Sequence, residues 1–278
     1  ALPYPSVMTT ENAILAASSA DGESLLSGVA IEPEVLDLIA FLNKRGGEIL
    51  LEGERTLRIQ GKIGHHEIHH PIMPDRIEAA SYGMAAIATG GDLWIEGANP
   101  THLSAFLEPL QAVGGGVEIR QGGIRFFHQR PLEGSLSLTT GVHPGFLTDW
   151  QQPFAVFLTQ VQGLSSLHET VYENRMGYVE EMQKRGANMT LSTECGESPC
   201  RFHDQHHLHH LTIEGSTPLH GGDVTIPDLR AGFAYLLAAL ISPEESRIGG
   251  LQHVDRGYSH LTSKLRSLGV DVERILPS

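Results

Sequence analysis

Apolar positions along the chain follow two periods. In VLDLIAFL and LTSKLRSL they recur at the spacing of one helix face, and a glycine follows the last turn of each as a C-cap. In EILLEGERTLRIQG and VEIRQGGIRFF, short apolar-rich runs flank a tight turn, the pattern of a β-hairpin. Four alanine-rich stretches predict further helices: ENAILAASSA, RIEAASYGMAAIATG, QQPFAVFLTQVQG and LRAGFAYLLAALIS. A short strand is expected after each, in ESLLSGVA, DLWIEGAN, SSLHETVY and SRIGGLQHV. An amphipathic helix then follows in PEVLDLIAFLNKRG, PTHLSAFLEPLQAVG, MGYVEEMQKRG and YSHLTSKLRSLG.

Laid over one another, these segments form one repeated unit. GGEI at Gly46, GVEI at Gly116, GANM at Gly186 and GVDV at Gly269 align, at intervals of about 70, 70 and 83 residues. That period is too long for a solenoid repeat and suits a small αβαββ module ending in a hairpin. The fold class is therefore α/β. Most Leu, Ala and Gly in the modules are core and punctuation. The boundary falls near HHPIMPD, residues 69–75, with one copy before it and three after. Three copies around a pseudo-threefold axis make a closed domain. A single copy does not, so residues 1–70 are expected to belong to a domain whose remainder is absent here.

Composition narrows the function. A length of 278 residues accommodates one large domain or two ordinary ones, and 40% apolar content fits a globular chain. A net charge of −14, with no basic tract, argues against a general nucleic-acid binder. No apolar run reaches membrane-span length, and no segment has the three-part layout of a signal peptide. Two cysteines do not make a disulfide framework, so a cytoplasmic setting is the default expectation.

Charge recurs at equivalent places in the repeats, in PDR (74–76), TDW (148–150), ENR (173–175), DLR (228–230) and DRG (255–257). Helix N-termini gathered about an axis favour anions, and arginines there grip phosphate or carboxylate in a fork. Capping and surface ion pairs are the plainer reading of any one tripeptide. Their joint recurrence points to an anion-binding cleft. In HPGFLTDWQQPF, residues 143–154, Thr148 or Asp149 suits the N-cap of the following helix. A carboxylate among such bulky apolar neighbours also needs a partner or a task.

The strings PSVMTTEN, EPEVLDLIAFLNKRG, MPDRIEAA, HPGFLTDWQQPF, ETVYENRMGYVEEMQKRGA, DLRAGFAYLLAAL and HVDRGYSHLTSKLRSLGVDVERI resemble the enolpyruvyl transferase family. They run in order along essentially the whole chain. They are closer to the branch acting on UDP-N-acetylglucosamine than to the sister branch acting on shikimate 3-phosphate. The resemblance implies an inside-out α/β barrel built from repeated αβαββ modules. It makes residues 1–72 the last module of an incomplete first domain, and 73–278 a second domain of three modules. It also implies transfer of the enolpyruvyl group from phosphoenolpyruvate to the 3-hydroxyl of UDP-N-acetylglucosamine, with release of phosphate, at the first committed step of peptidoglycan synthesis. No cofactor is implied.

By the same resemblance, Asp149 is the candidate base for the sugar hydroxyl. Arg230 and Arg256 grip the phosphoenolpyruvate anion, Asp228 stands beside Arg230, and Arg175 is a further active-site arginine. Ser6 and Val7 belong to a loop holding the nucleotide diphosphate, and Val171 packs the sugar nucleotide. Met8 stands where the family usually has Gly, which narrows backbone approach to a phosphate. The family's Gly-Cys-x-Ile-Gly-x-Arg-Pro string, which supplies the acid, does not occur in these residues, nor does its early Lys-Asn pair. Catalysis is thus expected to need a further segment or a partner chain. The alternatives are a non-catalytic relative that binds a sugar nucleotide or partner, and a transferase for another nucleotide in secondary metabolism.

The insertion CGESPCRFHDQHHLHH, residues 195–210, lengthens the last repeat interval. Its spacing offers Cys195, Cys200, His203 and His206 as zinc ligands, with a solvated loop or a reversible disulfide as alternatives. No metal is assigned to the active site.

Overall fold

The computed structural model describes residues 1–62, 64, 66–195, 200–203 and 205–275. The chain forms two compact units, Ala1–Pro74 with Val142–Gly145, and Asp75–Gly141 with Phe146–Ser278.

The first unit holds one module: α1 (Val7–Ser19), β1 (Glu23–Ser27), α2 (Pro33–Lys44), β2 (Glu48–Glu52) and β3 (Thr56–Gln60). The hairpin strands β2 and β3 pair antiparallel, but the sheet order is β1-β3-β2, so the last strand lies in the middle. Ile14, Val29, Val35, Ile39, Ile49, Leu57 and Ile59 form the core between helices and sheet. Asn43 ends α2 by bonding both the amide and the carbonyl of Ile49, at 2.8 and 2.9 Å, which fixes the helix-to-strand turn. Arg55 donates to the carbonyls of Val29 and His143, drawing residues 142–145 into this unit.

The second unit repeats the plan. Its first module runs α3 (Arg76–Ala88), β4 (Asp92–Glu96), α4 (Pro100–Ala112), β5 (Gly115–Arg120) and β6 (Gly123–His128). The next opens with β7 (Ser137–Thr139), then α5 (Thr148–Leu158), β8 (Gly163–His168), α6 (Val179–Lys184), β9 (Met189–Ser192) and β10 (His210–Gly215). The last has β11 (Gly222–Thr225), α7 (Leu229–Ile241), β12 (Ser246–Gly249), α8 (Leu251–Val254) and α9 (Leu261–Ser267). Sheet orders β4-β6-β5 and β7-β8-β10-β9 again place each module's final strand between its first two. β7 and β11 enter as extra edge strands, parallel to β8 and β12. A parallel pair needs a crossover, and α5 and α7 supply it.

Helices α3, α5 and α7 pack on one another at the centre of this unit, with strands outside. The reason is their lack of a polar face: α5 is buried from Trp150 to Leu158 and α7 from Ala231 to Ala238. A helix buried all round, its few polar side chains such as Gln151 and Gln152 hydrogen-bonded inside, must be enclosed, whereas β4 alternates exposed and half-buried residues as an outer strand does. This is the inside-out arrangement. Gly83 on α3 lets the ring of buried Phe126 lie flat against the helix, since a Cβ there would stand 2.8–2.9 Å from three ring carbons.

The fourth copy departs from the expected module. GVDV, at 269–272, is not a strand, and among the described residues α9 is followed by no hairpin. Arg266 instead donates to the Val272 carbonyl at 2.7 Å, and Arg274 pairs with Asp255 at 2.6 Å, holding this segment against its own module. SRIGGLQHV is likewise shorter as a strand than its pattern suggests. Gly250 turns it at φ 76°, where a side chain would collide with the Ile226 carbonyl, and LQHV becomes helical.

Candidate active site

Three of the charged tripeptides fall at the starts of the central helices, but they act differently. Asp75 and Asp228 are side-chain N-caps. Asp228 accepts from the amides of Arg230 (2.7 Å) and Ala231 (3.0 Å), and Asp75 from those of Ile77 and Glu78. The capping reading therefore accounts for Asp228, and it presents Arg230 in the first turn of α7. At α5 the N-cap is Leu147, with no side-chain cap bond. The expectation that Thr148 or Asp149 caps this helix is corrected: both lie inside the first turn, and both side chains point to other partners.

Asp149 is flanked by two guanidinium groups. Its Oδ1 lies 2.9 Å from Arg175 Nη1 and 3.4 Å from Arg230 Nε. These are ion pairs rather than aligned hydrogen bonds, since Oδ1 is buried without a hydrogen-bond donor. The two arginines differ in freedom. Arg175 is 5% exposed and also donates to Thr148 Oγ1 at 2.5 Å, whereas the Arg230 side chain is 49% exposed. Both sit over the ring of Tyr172, at 4.8 and 5.5 Å. A cation over an aromatic face is held while its N–H groups stay available to an anion.

Arg175 is positioned from two sides. From α5, Gln152 donates to the Arg175 carbonyl at 2.9 Å, and Gln151 donates to the Tyr178 hydroxyl at 3.0 Å. From the end of β8 comes Glu169, which is 1% exposed. Its carboxylate accepts from Thr140 Oγ1 (2.9 Å), Thr148 Oγ1 (2.8 Å), and the amides of Val171 (2.8 Å) and Tyr172 (3.0 Å). Charge-assisted bonds of this kind satisfy the buried carboxylate and fold residues 169–172 into a turn. Val171 thus lies in that turn beside the site. Neither Glu169 nor Tyr172 was singled out from the sequence, although Glu169 directly follows the end of β8.

Tyr258, on the turn after DRG, completes the picture. Its hydroxyl bonds Ser81 of α3 at 2.9 Å. Burial pushes its pKa up, and the charges of Asp75, Glu78 and Asp149 add to the rise. The Tyr258 hydroxyl thus ties the turn after α8 to α3, while Asp149 and Arg230 join the starts of α5 and α7. Arg256, two residues before Tyr258, is exposed and is not joined to Asp149 in the way Arg175 and Arg230 are. Its neighbour Asp255 is turned toward Arg274.

Ser6 and Val7 open α1 in the first unit. Ser6 is its N-cap, accepting from the Thr9 amide at 3.4 Å, and Met8 is 67% exposed.

The second unit also holds a cavity of about 1090 Å³ that does not include Asp149. Six carboxylates and two cations line it, from Glu180, Glu181, Asp223, Glu245, Asp271 and Glu273 against Lys184 and Arg247. That balance disfavours an anion there, whereas Arg175 and Arg230 converge on Asp149 outside this cavity. Among the described residues, no helix is long and apolar enough to cross a membrane.

Comparison with known proteins agrees with this architecture. The family model described as EPSP synthase (3-phosphoshikimate 1-carboxyvinyltransferase) matches residues 1–265. UDP-N-acetylglucosamine 1-carboxyvinyltransferase of Protochlamydia amoebophila is 50% identical over 275 residues, covering 99% of this chain and 59% of its own length. The protein of the same name from Chlamydia pneumoniae is 48% identical, covering 98% of this chain and 60% of its own. The chain thus spans about three fifths of the length of the curated relatives it matches. Among solved structures, the enolpyruvyl transferase NikO from Streptomyces tendae superposes with a TM-score of 0.76 at 25% identity, over 93% of this chain and 58% of that one. EPSP synthase from Acinetobacter baumannii shares the fold, with a TM-score of 0.69 at 18% identity, over 96% of this chain and 61% of that one. With central helices, outer sheets and a match over nearly every residue, this chain belongs to the EPSP synthase (3-phosphoshikimate 1-carboxyvinyltransferase) family of enolpyruvyl transferases.

Proposed function

We propose that the protein transfers the enolpyruvyl group of phosphoenolpyruvate to the 3-hydroxyl of UDP-N-acetylglucosamine, releasing phosphate, as the first committed step of peptidoglycan synthesis. The observation that carries this reading is Asp149 held between Arg175 and Arg230 where the central helices begin. The names of relatives near 50% identity support the choice of acceptor.

In the proposed addition, Asp149 takes the hydroxyl proton while the oxygen bonds to C2 of phosphoenolpyruvate and C3 gains a proton from an acid. In the elimination, C3 loses a proton, the C2–O bond to phosphate breaks, and phosphate leaves. Phosphoenolpyruvate brings both a carboxylate and a phosphate. Half-exposed Arg230 turns from Asp149 to these anions, and this frees the carboxylate to act as base. Arg175, locked by Thr148, stays to orient it. Asp228 acts by capping α7 and so setting the direction of Arg230. Arg256 joins the anion grip only when substrate is bound.

We assign Ser6 and Val7 to the nucleotide diphosphate, Val171 to the sugar, residues 1–72 to the last module of a first domain and 73–278 to the second domain. The test is phosphate release by the protein encoded by the full reading frame, with phosphoenolpyruvate and either UDP-N-acetylglucosamine or shikimate 3-phosphate. Turnover with the sugar nucleotide alone supports the proposal. Turnover only with shikimate 3-phosphate, or with neither, overturns it.

A further inference from the structure

The expected ligand set Cys195, Cys200, His203 and His206 does not assemble. Instead the long β9–β10 connection folds Cys195 and Cys200 onto His209 and onto His168 at the end of β8. One nitrogen or sulfur atom from each of these four lies within 4.8 Å of every other. His203 and His206 are exposed and outside the group. From this geometry we infer a structural zinc site of two thiolates and two imidazoles, built from His168, Cys195, Cys200 and His209.

Four observations support the assignment. First, both sulfurs address one nitrogen: Cys200 Sγ is 3.3 Å and Cys195 Sγ 3.5 Å from His209 Nε2. A zinc ion with bonds of about 2.0–2.3 Å sets ligand atoms roughly 3.3–3.8 Å apart along tetrahedron edges. Second, the tautomer is fixed from behind: His209 Nδ1 lies 2.7 Å from the His207 carbonyl, so Nδ1 donates and Nε2 faces the sulfurs with its lone pair. Third, His168 is buried, and both its ring nitrogens lack a hydrogen-bond partner among the described residues. Its ring lies 5.1 Å from that of His209. Fourth, the amide of Phe202 donates to Cys200 Sγ at 3.4 Å, while the fully buried Phe202 ring packs edge-on against His209. An amide donor stabilises a thiolate, and an apolar cover keeps water from the sulfurs.

Soft sulfur donors with imidazole in a four-ligand set favour zinc over calcium or magnesium. The site also has a purpose in the fold. Arg201, next to Cys200, donates to the Val171 carbonyl and pairs with Glu173, both at 3.0 Å. His168 directly precedes Glu169. A metal here would clamp the β9–β10 connection onto the turn that positions Arg175, without touching the reacting groups.

The test uses protein from the full reading frame, untagged and purified without chelator, with zinc measured by elemental mass spectrometry. The expected content is about one zinc per chain, falling below about 0.2 in Cys200→Ser and His209→Gln and unchanged in His203→Ala and His206→Ala. Because the ligand variants risk misfolding, wild-type protein exchanged into cobalt provides a second measurement. A tetrahedral cobalt spectrum with thiolate charge transfer is expected. Metal-free folded wild-type protein would overturn the inference. So would a Cys195–Cys200 disulfide in its intact mass, or zinc lost only in the His203 and His206 variants.

Discussion

Glu169→Gln isolates charge from shape at the group that organises the site. The buried carboxylate accepts four hydrogen bonds, from two hydroxyls and two amides. Each charge-assisted bond contributes about 1.5–3 kcal/mol, against about 0.5–1.5 for a neutral one, so four lose roughly 4 kcal/mol in gross terms. One carboxylate oxygen also becomes an NH2 facing the Thr148 hydroxyl, which must then redirect its proton. Relief from burying a charge offsets part of the loss, leaving a net destabilisation of about 2 kcal/mol. Both tryptophans, Trp94 on β4 and Trp150 on α5, lie in the second unit, so their fluorescence during urea unfolding reports on the right part of the molecule. With m near 2 kcal/mol/M, the midpoint should fall by about 1 M at unchanged m. A midpoint shift below about 0.2 M would show that the Glu169 charge does not hold this turn.

Two other perturbations probe the architecture. Gly83→Ala should destabilise by about 1–3 kcal/mol despite the better helix propensity of alanine, because the new methyl meets the buried Phe126 ring; a raised melting temperature would contradict this packing. On the outer sheet, the Arg125 hydrogen bond holds Asp92 below its ordinary 3.8, and Arg120, then Arg125, hold Glu118 below 4.5. Depressed folded values mean stability that is present above those ordinary values and lost as pH falls through the lower ones. Arg125→Gln should therefore flatten the fall in melting temperature between about pH 5 and pH 3, and an unchanged slope would exclude the contribution.

Local patterns made the helices and most strands legible, because each module's apolar spacing reports which face is buried. The order of strands was not, since a hairpin motif fixes the pairing of β2 with β3 but not the entry of β1 on the far side of β3. In the fourth copy, GVDV is not a strand; Arg266 bonds the Val272 carbonyl and Arg274 pairs with Asp255, contacts that local spacing does not report. At the site, the meeting of Asp149 with Arg175 and Arg230 agrees with the recurrence of charge across repeats. The role of Leu147 as N-cap was hidden, because cap preference does not register that Thr148 and Asp149 have stronger partners elsewhere. The metal ligands illustrate the same limit. Spacing within one insertion suggested His203 and His206, whereas His209 borders β10 and His168 ends its neighbour β8, 27 residues before Cys195. Proximity across a sheet is not written in local spacing.

We propose that the Asp149 carboxylate, held between Arg175 and Arg230, receives the proton of the acceptor hydroxyl. The most direct test is single-turnover phosphate release by Asp149→Asn in the protein from the full reading frame, with phosphoenolpyruvate and UDP-N-acetylglucosamine saturating. Since Leu147 and not Asp149 caps α5, the variant should fold with its far-ultraviolet circular dichroism unchanged. Its rate should fall by about 10²–10⁴-fold, the range expected for loss of a general base. Phosphate release at the wild-type rate would contradict the assignment.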